Sequence, residues 1–121
     1  MNAVTWIAVA GLGGLGSLLR FFVDGAVASR VGRVFPFGTL AVNLSGAVAL
    51  GLIVGLAFSG NALLLVGTAT IGSYTTFSTW MLESHRLTED SDLRAALGNL
   101  VLSAALGIGA AALGRVIGMH L

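Results

Sequence analysis

The sequence contains no cysteine and no lysine, and only 9% of its 121 residues are charged. Without cysteine there is no disulfide, thiolate metal site or catalytic thiol, and the redox compartment stays open. About a quarter of the residues of a soluble domain are charged, so the composition excludes a soluble enzyme. A net charge of +1 offers no basic tail either, and we therefore expect no nucleic-acid partner.

Apolar residues make up 56% of the chain, and the mean hydropathy is +0.98. These values predict an integral membrane protein that is surrounded by lipid. The chain also has 18 glycines and a single proline. Disordered glycine-rich chains are polar, so the glycines predict close packing between helices. Stripes of small residues that pack in this way are expected at Gly51 and Gly55 on the second span, and at Gly107 and Gly109 on the fourth.

A helix needs about 20 predominantly apolar residues to cross the hydrocarbon core of a bilayer. Four stretches meet this requirement, namely 3–28, 37–58, 61–82 and 95–114. The first lacks the basic start of a signal peptide and is too long for one, so we expect it to be retained. The predicted fold is one all-helical domain over residues 1–121, with four spans and short linkers between antiparallel neighbours.

The six arginines are distributed unevenly among the predicted loops. The loops after the first and third spans carry four of them, Arg30, Arg33, Arg86 and Arg94, whereas the opposite side carries only Arg115. Because cytoplasmic loops are enriched in arginine and lysine, the first and third loops are predicted to be cytoplasmic. Both termini would then lie outside.

The middle of the third span, residues 72–80, reads GSYTTFSTW. Most of these residues are glycine, hydroxyl-bearing or β-branched, and all of those types are poor helix formers. One interpretation is a broken helix whose freed carbonyls could bind a cation inside the membrane. The other is an unbroken helix whose hydroxyls bond to carbonyls one turn earlier. The spacing alone leaves both open.

Polar residues also recur at helical spacing in the second and fourth spans. Thr39, Asn43 and Gly46 share one face of the second span, and Asn99 and Ser103 share one face of the fourth. Both groups allow the same two interpretations. They either form hydrogen bonds between helices or line a polar path, along which the Asn43 amide would donate to an anion.

Charged residues lie near the ends of two spans. Arg20 stands near the end of the first apolar run, with Asp24 one turn later. A local ion pair in this order is the weaker arrangement, and the alternative is a cation that draws anions into a vestibule. Glu83 ends the third span, where a solvated carboxylate is the default.

No carboxylate lies in the core of any span, and no Ser/His/Asp or His/Glu grouping is present. We therefore expect no catalytic residue and no enzyme activity. The embedded hydroxyls, amides and aromatic edges suit a small anion. Two alternatives are a small multidrug-type proton-coupled exporter, which needs a core carboxylate, and a structural membrane subunit that transports nothing.

Three motifs follow one another along the chain: GGLGSLLR at 13–20, FGTLAVNLSG at 37–46 and GSYTTFST at 72–79. They resemble the GGxxGxxxR, GTLxVNxxG and GGxTTFST segments of the CrcB/Fluc fluoride ion channels. The length and the four spans agree as well, so the resemblance covers essentially the whole chain. It implies a passive channel in the cell membrane that lets cytoplasmic fluoride leave and protects against its toxicity.

The resemblance also implies an antiparallel, dual-topology dimer with two fluoride pores and a structural Na⁺ at the dimer interface. The Na⁺ ligands would be the backbone carbonyls of Gly72 and Thr75, at a break of the third helix near the midplane. Arg20 would lie in an entry vestibule, and Glu83 would lie near a pore mouth. The fluoride pore would be lined by Asn43, Thr76, Phe77, Thr79, Trp80 and Ser103.

The sequence departs from the family pattern in three places. Ser73 replaces a glycine, Trp80 replaces a phenylalanine, and Ala95 and Ala96 stand where a tyrosine is expected. Trp80 keeps a ring edge and adds an indole N–H donor, which would narrow or retune the pore rather than close it. The primary prediction is a homodimer. The uneven arginines and these departures raise a second hypothesis, a heterodimer with an inverted paralogue.

Overall fold

The computed structural model describes Met1–Leu121, and all of its regular elements are helices. In chain order they are α1 (Ala3–Val31), α2 (Phe37–Gly55), α3 (60–74), α4 (Ser78–Glu89) and α5 (Leu93–Met119). Three of them, α1, α2 and α5, are long and apolar enough to cross a membrane. The prediction of an all-helical membrane protein is thereby confirmed.

Capping side chains and a glycine set the ends of the two longest helices. The Asn2 side chain accepts a hydrogen bond from the N–H of Thr5 at 2.9 Å, which starts α1. α1 ends where Gly32 adopts a φ of 79° and donates its N–H to the Ala28 carbonyl at 2.8 Å. The helix therefore continues past the predicted end at residue 28. Asp92 caps the start of α5 in the same way as Asn2.

The predicted third span, 61–82, is divided between two helices. α3 consists of the short α-helical turns Gly60–Ala62 and Gly72–Tyr74 on either side of a π-helix over Leu63–Ile71. Within it, the Thr70 hydroxyl donates to the Leu65 carbonyl, five residues back, at 2.8 Å. That spacing matches the wider turn of a π-helix. The chain then leaves the helical conformation before α4 begins.

The two parts of the third span pack against different helices. α3 lies on α1, where a Cβ at Gly16 would collide with the Thr70 carbonyl and the Ser73 hydroxyl. α4 lies on α5, and α2 contacts both α1 and α5. The residues between the two parts, 75–77, therefore connect two separate packing interfaces.

Glycines bring α2 and α5 into their close contact. A Cβ at Gly51 or Gly55 would collide with the backbone of α5, and a Cβ at Gly114 or Gly118 would collide with the backbone of α2. Small residues that allow backbones to approach are a usual basis of helix association in membranes. The predicted stripe at Gly51 and Gly55 therefore does pack against a helix.

The stripe predicted on the fourth span does not pack against another helix of the same chain. Gly107 and Gly109 have open space beside them, and the glycines that meet α2 lie further along α5. The sequence could not identify the contact face, because α5 is apolar on all sides and offers no polar face to exclude.

Most large apolar side chains of the protein face outward. Only 19 of the 121 residues are buried, and Phe21 and Ile108 are among the many large side chains left exposed. An apolar surface of this extent requires lipid or another apolar partner to cover it. This surface is typical of a membrane protein.

Replacing Gly114 with alanine is expected to destabilise the protein by about 3 kcal/mol, because the new methyl group collides with the α2 backbone. Gly109→Ala is the matched control on the same helix, since open space lies beside Gly109. Thermal unfolding of the purified protein in detergent measures both effects. A Gly114→Ala variant as stable as the control would contradict this description of the α2–α5 contact.

Candidate functional site

The third span is interrupted between Tyr74 and Ser78. Thr75 has an extended backbone with a ψ of 161°, and a side chain of α2 holds the next residue. Asn43 accepts a hydrogen bond from the N–H of Thr76 and donates one to the Thr76 carbonyl, both at 2.8 Å. The amide therefore pairs with the Thr76 backbone as a residue of a neighbouring β-strand would. This pairing stabilises the non-helical chain.

The hydroxyl of Thr76 caps the start of α4. It accepts a hydrogen bond from the N–H of Thr79 at 3.2 Å and donates one to the Thr79 hydroxyl at 3.2 Å. A hydroxyl that accepts from the N–H three residues later is the arrangement of a helix N-cap. Two predicted pore hydroxyls are thus in direct contact.

The carbonyls of Gly72 and Thr75 are among those at the interruption that have lost their helical partners. In a continuous helix the N–H of Thr76 would bond the Gly72 carbonyl. Likewise, the N–H of Thr79 would bond the Thr75 carbonyl. Both of these N–H groups bond to side chains instead.

A groove of about 670 Å³ lies beside the interruption, and none of its 14 lining residues is charged. Phe77 is 70% exposed, and its ring meets the ring of Trp80 edge-on, with centroids 5.8 Å apart and an interplanar angle of 85°. The groove thus brings together six predicted site residues, which are Asn43, Gly72, Thr75, Thr76, Phe77 and Trp80.

A closed set of hydrogen bonds around Trp80 joins α4 to α5. The indole N–H donates to the backbone carbonyl of Asn99 at 3.1 Å, and the Asn99 side-chain amide donates to the Ser84 hydroxyl at 2.8 Å. Ser84 in turn donates to the Trp80 carbonyl at 2.9 Å. The indole donor predicted for the pore is therefore bonded to α5.

Ser103 lies apart from the groove. Its hydroxyl donates to Oδ1 of Asn99 at 3.3 Å, so it extends the hydrogen bonds that surround Trp80. Of the two interpretations of Asn99 and Ser103, the structure supports helix packing. The bonds of Asn99 join α5 to α4, and Ser103 bonds to Asn99 within α5. Asn99 is 1% exposed, and its side chain is bonded on both sides.

A second cavity, of about 340 Å³, contains the predicted vestibule residue Arg20. Thr76 and Thr79 line this cavity as well, and Thr76 lines both it and the groove. The structure thus brings a cationic side chain next to two of the predicted pore hydroxyls. The polar lining consists of Ser17, Arg20, Asp24, Thr39, Thr76 and Thr79.

The local ion pair between Arg20 and Asp24 does not form. Asp24 pairs instead with Arg33 at 3.5 Å, because the chain turns back at Gly32 after α1. The guanidinium of Arg20 extends to the interruption, where its Nη1 lies 3.5 Å from the Thr75 carbonyl.

Glu83 is held by partners rather than fully solvated. Its carboxylate accepts a hydrogen bond from the Thr39 hydroxyl, which ties α4 to α2. Arg33 and Arg86 line the same small cavity, of about 150 Å³. The default expectation of a freely solvated carboxylate at this position is therefore wrong.

Sequence reasoning missed the roles of Ser84 and of the Thr39–Glu83 bond. Helical spacing identifies residues that share a face of one helix, as it did for Thr39 and Asn43. It carries no signal for a partner on another helix 44 residues away. The threonine pair at 76 and 79 did offer a signal, since its spacing is that of an N-cap hydroxyl and its N–H partner.

These features define a class of protein. Three apolar helices accompany an interrupted span, an uncharged groove and carbonyls without helical partners. Non-helical backbone inside a membrane is tolerated where it lines a cavity, and ion channels and transporters use it to contact ions. The chain therefore has the structural features of an ion-conducting membrane protein.

Comparison with known proteins identifies the family. A family model described as "CrcB-like protein, Camphor Resistance (CrcB)" matches residues 7–115. The chain is 62% identical to the fluoride-specific ion channel FluC 2 of Mycolicibacterium paratuberculosis over 94% of its own length and 93% of that relative. It is 53% identical to FluC 2 of Mycobacterium tuberculosis, strain H37Rv, over 97% and 93% of the two chains. The chain belongs to the CrcB family, and the resemblance found in its motifs is confirmed.

A relative with the other paralogue number is also similar. The fluoride-specific ion channel FluC 1 of Symbiobacterium thermophilum is 38% identical, and the match covers 95% of this chain and 98% of that one. The similarity thus spans nearly the full length of this relative as well.

Replacing Ser84 with alanine is expected to cost about 1–3 kcal/mol, because the buried Asn99 N–H loses its acceptor. Trp80 should then become less ordered, with a red shift of its fluorescence in a Trp6→Phe background. Thr88→Ala is the matched control, because that hydroxyl bonds only within α4. Equal stability and equal emission of the two variants would contradict the proposed anchoring of Trp80.

Proposed function

We propose that the chain is a fluoride-selective, passive ion channel and a multi-pass protein of the cell membrane. It lets cytoplasmic fluoride leave and so protects the cell against fluoride toxicity. The observation that carries this proposal is the uncharged groove at the interrupted span, which Asn43, Phe77 and Trp80 line. Membership of the CrcB family supports it, since relatives of that family are named fluoride-specific ion channels.

The groove recognises fluoride through neutral groups with positive edges. An amide nitrogen carries two hydrogens. One N–H of Asn43 bonds the Thr76 carbonyl, and the other is left for an anion. The exposed ring of Phe77 offers its electropositive edge. Trp80 contributes a ring edge only, since its N–H is bonded to Asn99.

Hydroxyl groups continue the path beyond the aromatic pair. Thr76 and Thr79 line the cavity that contains Arg20, next to the groove. Ser103 supplies a further donor on α5. A hydroxyl can rotate its hydrogen toward an anion and still accept a hydrogen bond with its oxygen. Thr76 can therefore turn its hydrogen toward a passing ion and still accept the N–H of Thr79, whereas Ser103 would exchange its bond to Asn99 for one to the ion.

Charged residues act at the approaches to the path. Arg20 attracts fluoride into the cavity that it shares with Thr76 and Thr79, while the groove itself has no charged side chain. Glu83 stands near a pore mouth, where it holds the Thr39 hydroxyl and lies beside Arg33.

A passive pore is sufficient for this export. Hydrofluoric acid is weak, crosses membranes in its neutral form and ionises in the less acidic cytoplasm, where the anion is trapped. An inside-negative potential then drives the anion out, with about 2.3 kcal/mol per charge for each 100 mV. Selectivity follows from rigid donors that replace a strong hydration shell, while the absence of charged side chains in the groove lets the ion leave.

We further propose an antiparallel dimer whose interface holds a structural Na⁺. The chain contains no cluster of three or more histidine or acidic side chains that could hold a metal ion. The carbonyls of Gly72 and Thr75 fit the role, because their helical N–H partners bond elsewhere and Na⁺ prefers such oxygens. When bound, the ion would join the interrupted third spans of two subunits near the bilayer midplane.

The partner in this dimer is a second copy of the chain in inverted orientation. The open groove and the exposed apolar surface provide the area for such a partner. The alternative is an inverted paralogue, which the uneven arginines favour. Relatives that carry the numbers 1 and 2 fit the existence of such paralogues.

The two alternative functions fit the site less well. A proton-coupled exporter needs a carboxylate inside the membrane, and no charged residue lines the groove. A purely structural subunit needs no groove that gathers an amide, hydroxyls and an aromatic pair.

Reconstituted into liposomes, the protein should release fluoride, and Asn43→Ala should slow the release by about 10- to 100-fold. A hydrogen bond to a charged group contributes about 1.5–3 kcal/mol, and that bond is lost. Asn61→Ala is the matched control, because Asn61 is an exposed amide outside the groove. A fluoride electrode measures the efflux, with a potassium ionophore to balance charge.

Proton-coupled cation uptake, or the absence of any fluoride flux, would contradict the channel. Equal efflux through the Asn43→Ala and Asn61→Ala variants would contradict the placement of the ion path. Phe77→Ile tests the same placement through the aromatic edge and should likewise reduce efflux.

The purified chain alone is expected to conduct fluoride if it forms a homodimer. Efflux from liposomes that contain only this chain, together with a dimeric mass in detergent, would establish that partner. A monomeric, inactive chain whose efflux returns on co-expression with a paralogue would overturn the homodimer in favour of the heterodimer.

A further inference from the structure

We propose that Asn43 and Thr76 are positioning residues for the Na⁺ site, in addition to lining the fluoride path. Their side chains take up the two N–H groups that would otherwise occupy the carbonyls of Gly72 and Thr75. This inference rests on the Na⁺ site of the proposed function. It assigns the origin of that site to two side chains, one of which lies on another helix.

Asn43 acts first on the Gly72 carbonyl. In a continuous helix this carbonyl would accept the N–H of Thr76. The side chain of Asn43 accepts that N–H at 2.8 Å instead. The second bond, from Asn43 Nδ2 to the Thr76 carbonyl at 2.8 Å, keeps the side chain in place. The Gly72 carbonyl is thereby left for another electropositive group.

Asn43 also orients the Thr75 carbonyl. The carbonyl of Thr75 and the N–H of Thr76 belong to the same peptide unit, which is planar and trans. They therefore point in opposite directions. Because Asn43 fixes the N–H toward α2, it directs the Thr75 carbonyl away from α2.

The hydroxyl of Thr76 completes the arrangement. It accepts the N–H of Thr79, which would bond the Thr75 carbonyl in a continuous helix. The guanidinium of Arg20 lies 3.5 Å from this carbonyl, so the carbonyl already faces a cationic group within the subunit. A carbonyl has two lone pairs and can serve a second cation as well.

The side chains of Asn43 and Thr76 thus serve both the fluoride path and the Na⁺ site. Asn43 and Thr76 line the groove that also contains Gly72 and Thr75. A substitution at either position should therefore disturb Na⁺ binding even when fluoride is absent. That consequence separates a positioning role from a role in conduction alone.

The test is a Na⁺ titration of the chain purified without Na⁺ and kept in fluoride-free detergent solution at constant ionic strength. The readout is the Na⁺ concentration that gives half of the maximal rise in melting temperature. For Asn43→Ala and Thr76→Val we expect this concentration to rise about tenfold or more, since each loses a hydrogen bond that frees a carbonyl. Thr76→Ser keeps the hydroxyl and should bind Na⁺ as the unchanged chain does.

Three outcomes would overturn the inference. If the unchanged chain shows no stabilisation by Na⁺, the proposed Na⁺ site falls and the inference with it. If Na⁺ stabilises the unchanged chain and both variants at the same concentration, the positioning role alone is wrong. If Thr76→Ser loses Na⁺ binding as fully as Thr76→Val, the hydroxyl is not the cause.

The fluoride efflux measurement is independent of this titration, so failure of the channel and failure of the inference can be told apart. If Asn43→Ala does not fold, as circular dichroism would reveal, the comparison of Thr76→Val with Thr76→Ser decides the matter by itself.

Discussion

The pairing of the Asn43 amide with the backbone of Thr76 is the interaction on which the rest of the site depends. It satisfies the N–H and the carbonyl of Thr76, which have left the helical hydrogen-bond pattern, and it does so with a side chain of a neighbouring helix. An unsatisfied peptide group is costly inside a membrane. The interrupted span is therefore tolerated at 75–77 because α2 supplies the missing partner there.

The interruption affects both the lining of the groove and the anchoring of the helices before and after it. The exposed Phe77 and the hydroxyl of Thr76 reach the groove only because the chain is extended at Thr75. The two halves of the span are anchored separately, α3 by the close approach of Gly16 and α4 by the bonds around Trp80. Rigid anchoring of this kind suits a site that must replace the water around a small anion.

Much of this could be predicted from the sequence, because apolar runs and motif spacing depend on local patterns. Hydropathy predicts the helical membrane fold, and the motifs at 37–46 and 72–79 locate most of the predicted site residues in the groove. The partners of Asn43, Glu83 and Trp80 could not be predicted, since each lies on another helix and depends on how the helices pack. The glycines of α5 that contact α2 could not be predicted for a related reason. A helix that is apolar on every side gives no signal of its orientation.

The conducting path and its selectivity are tested most directly by the reversal potential of the reconstituted protein in a planar bilayer. With a fluoride gradient across the membrane, equal chloride and equal pH on both sides, the current should reverse at the fluoride equilibrium potential. A reversal near zero, or one that follows an imposed pH gradient instead, would contradict a passive fluoride path through the uncharged groove.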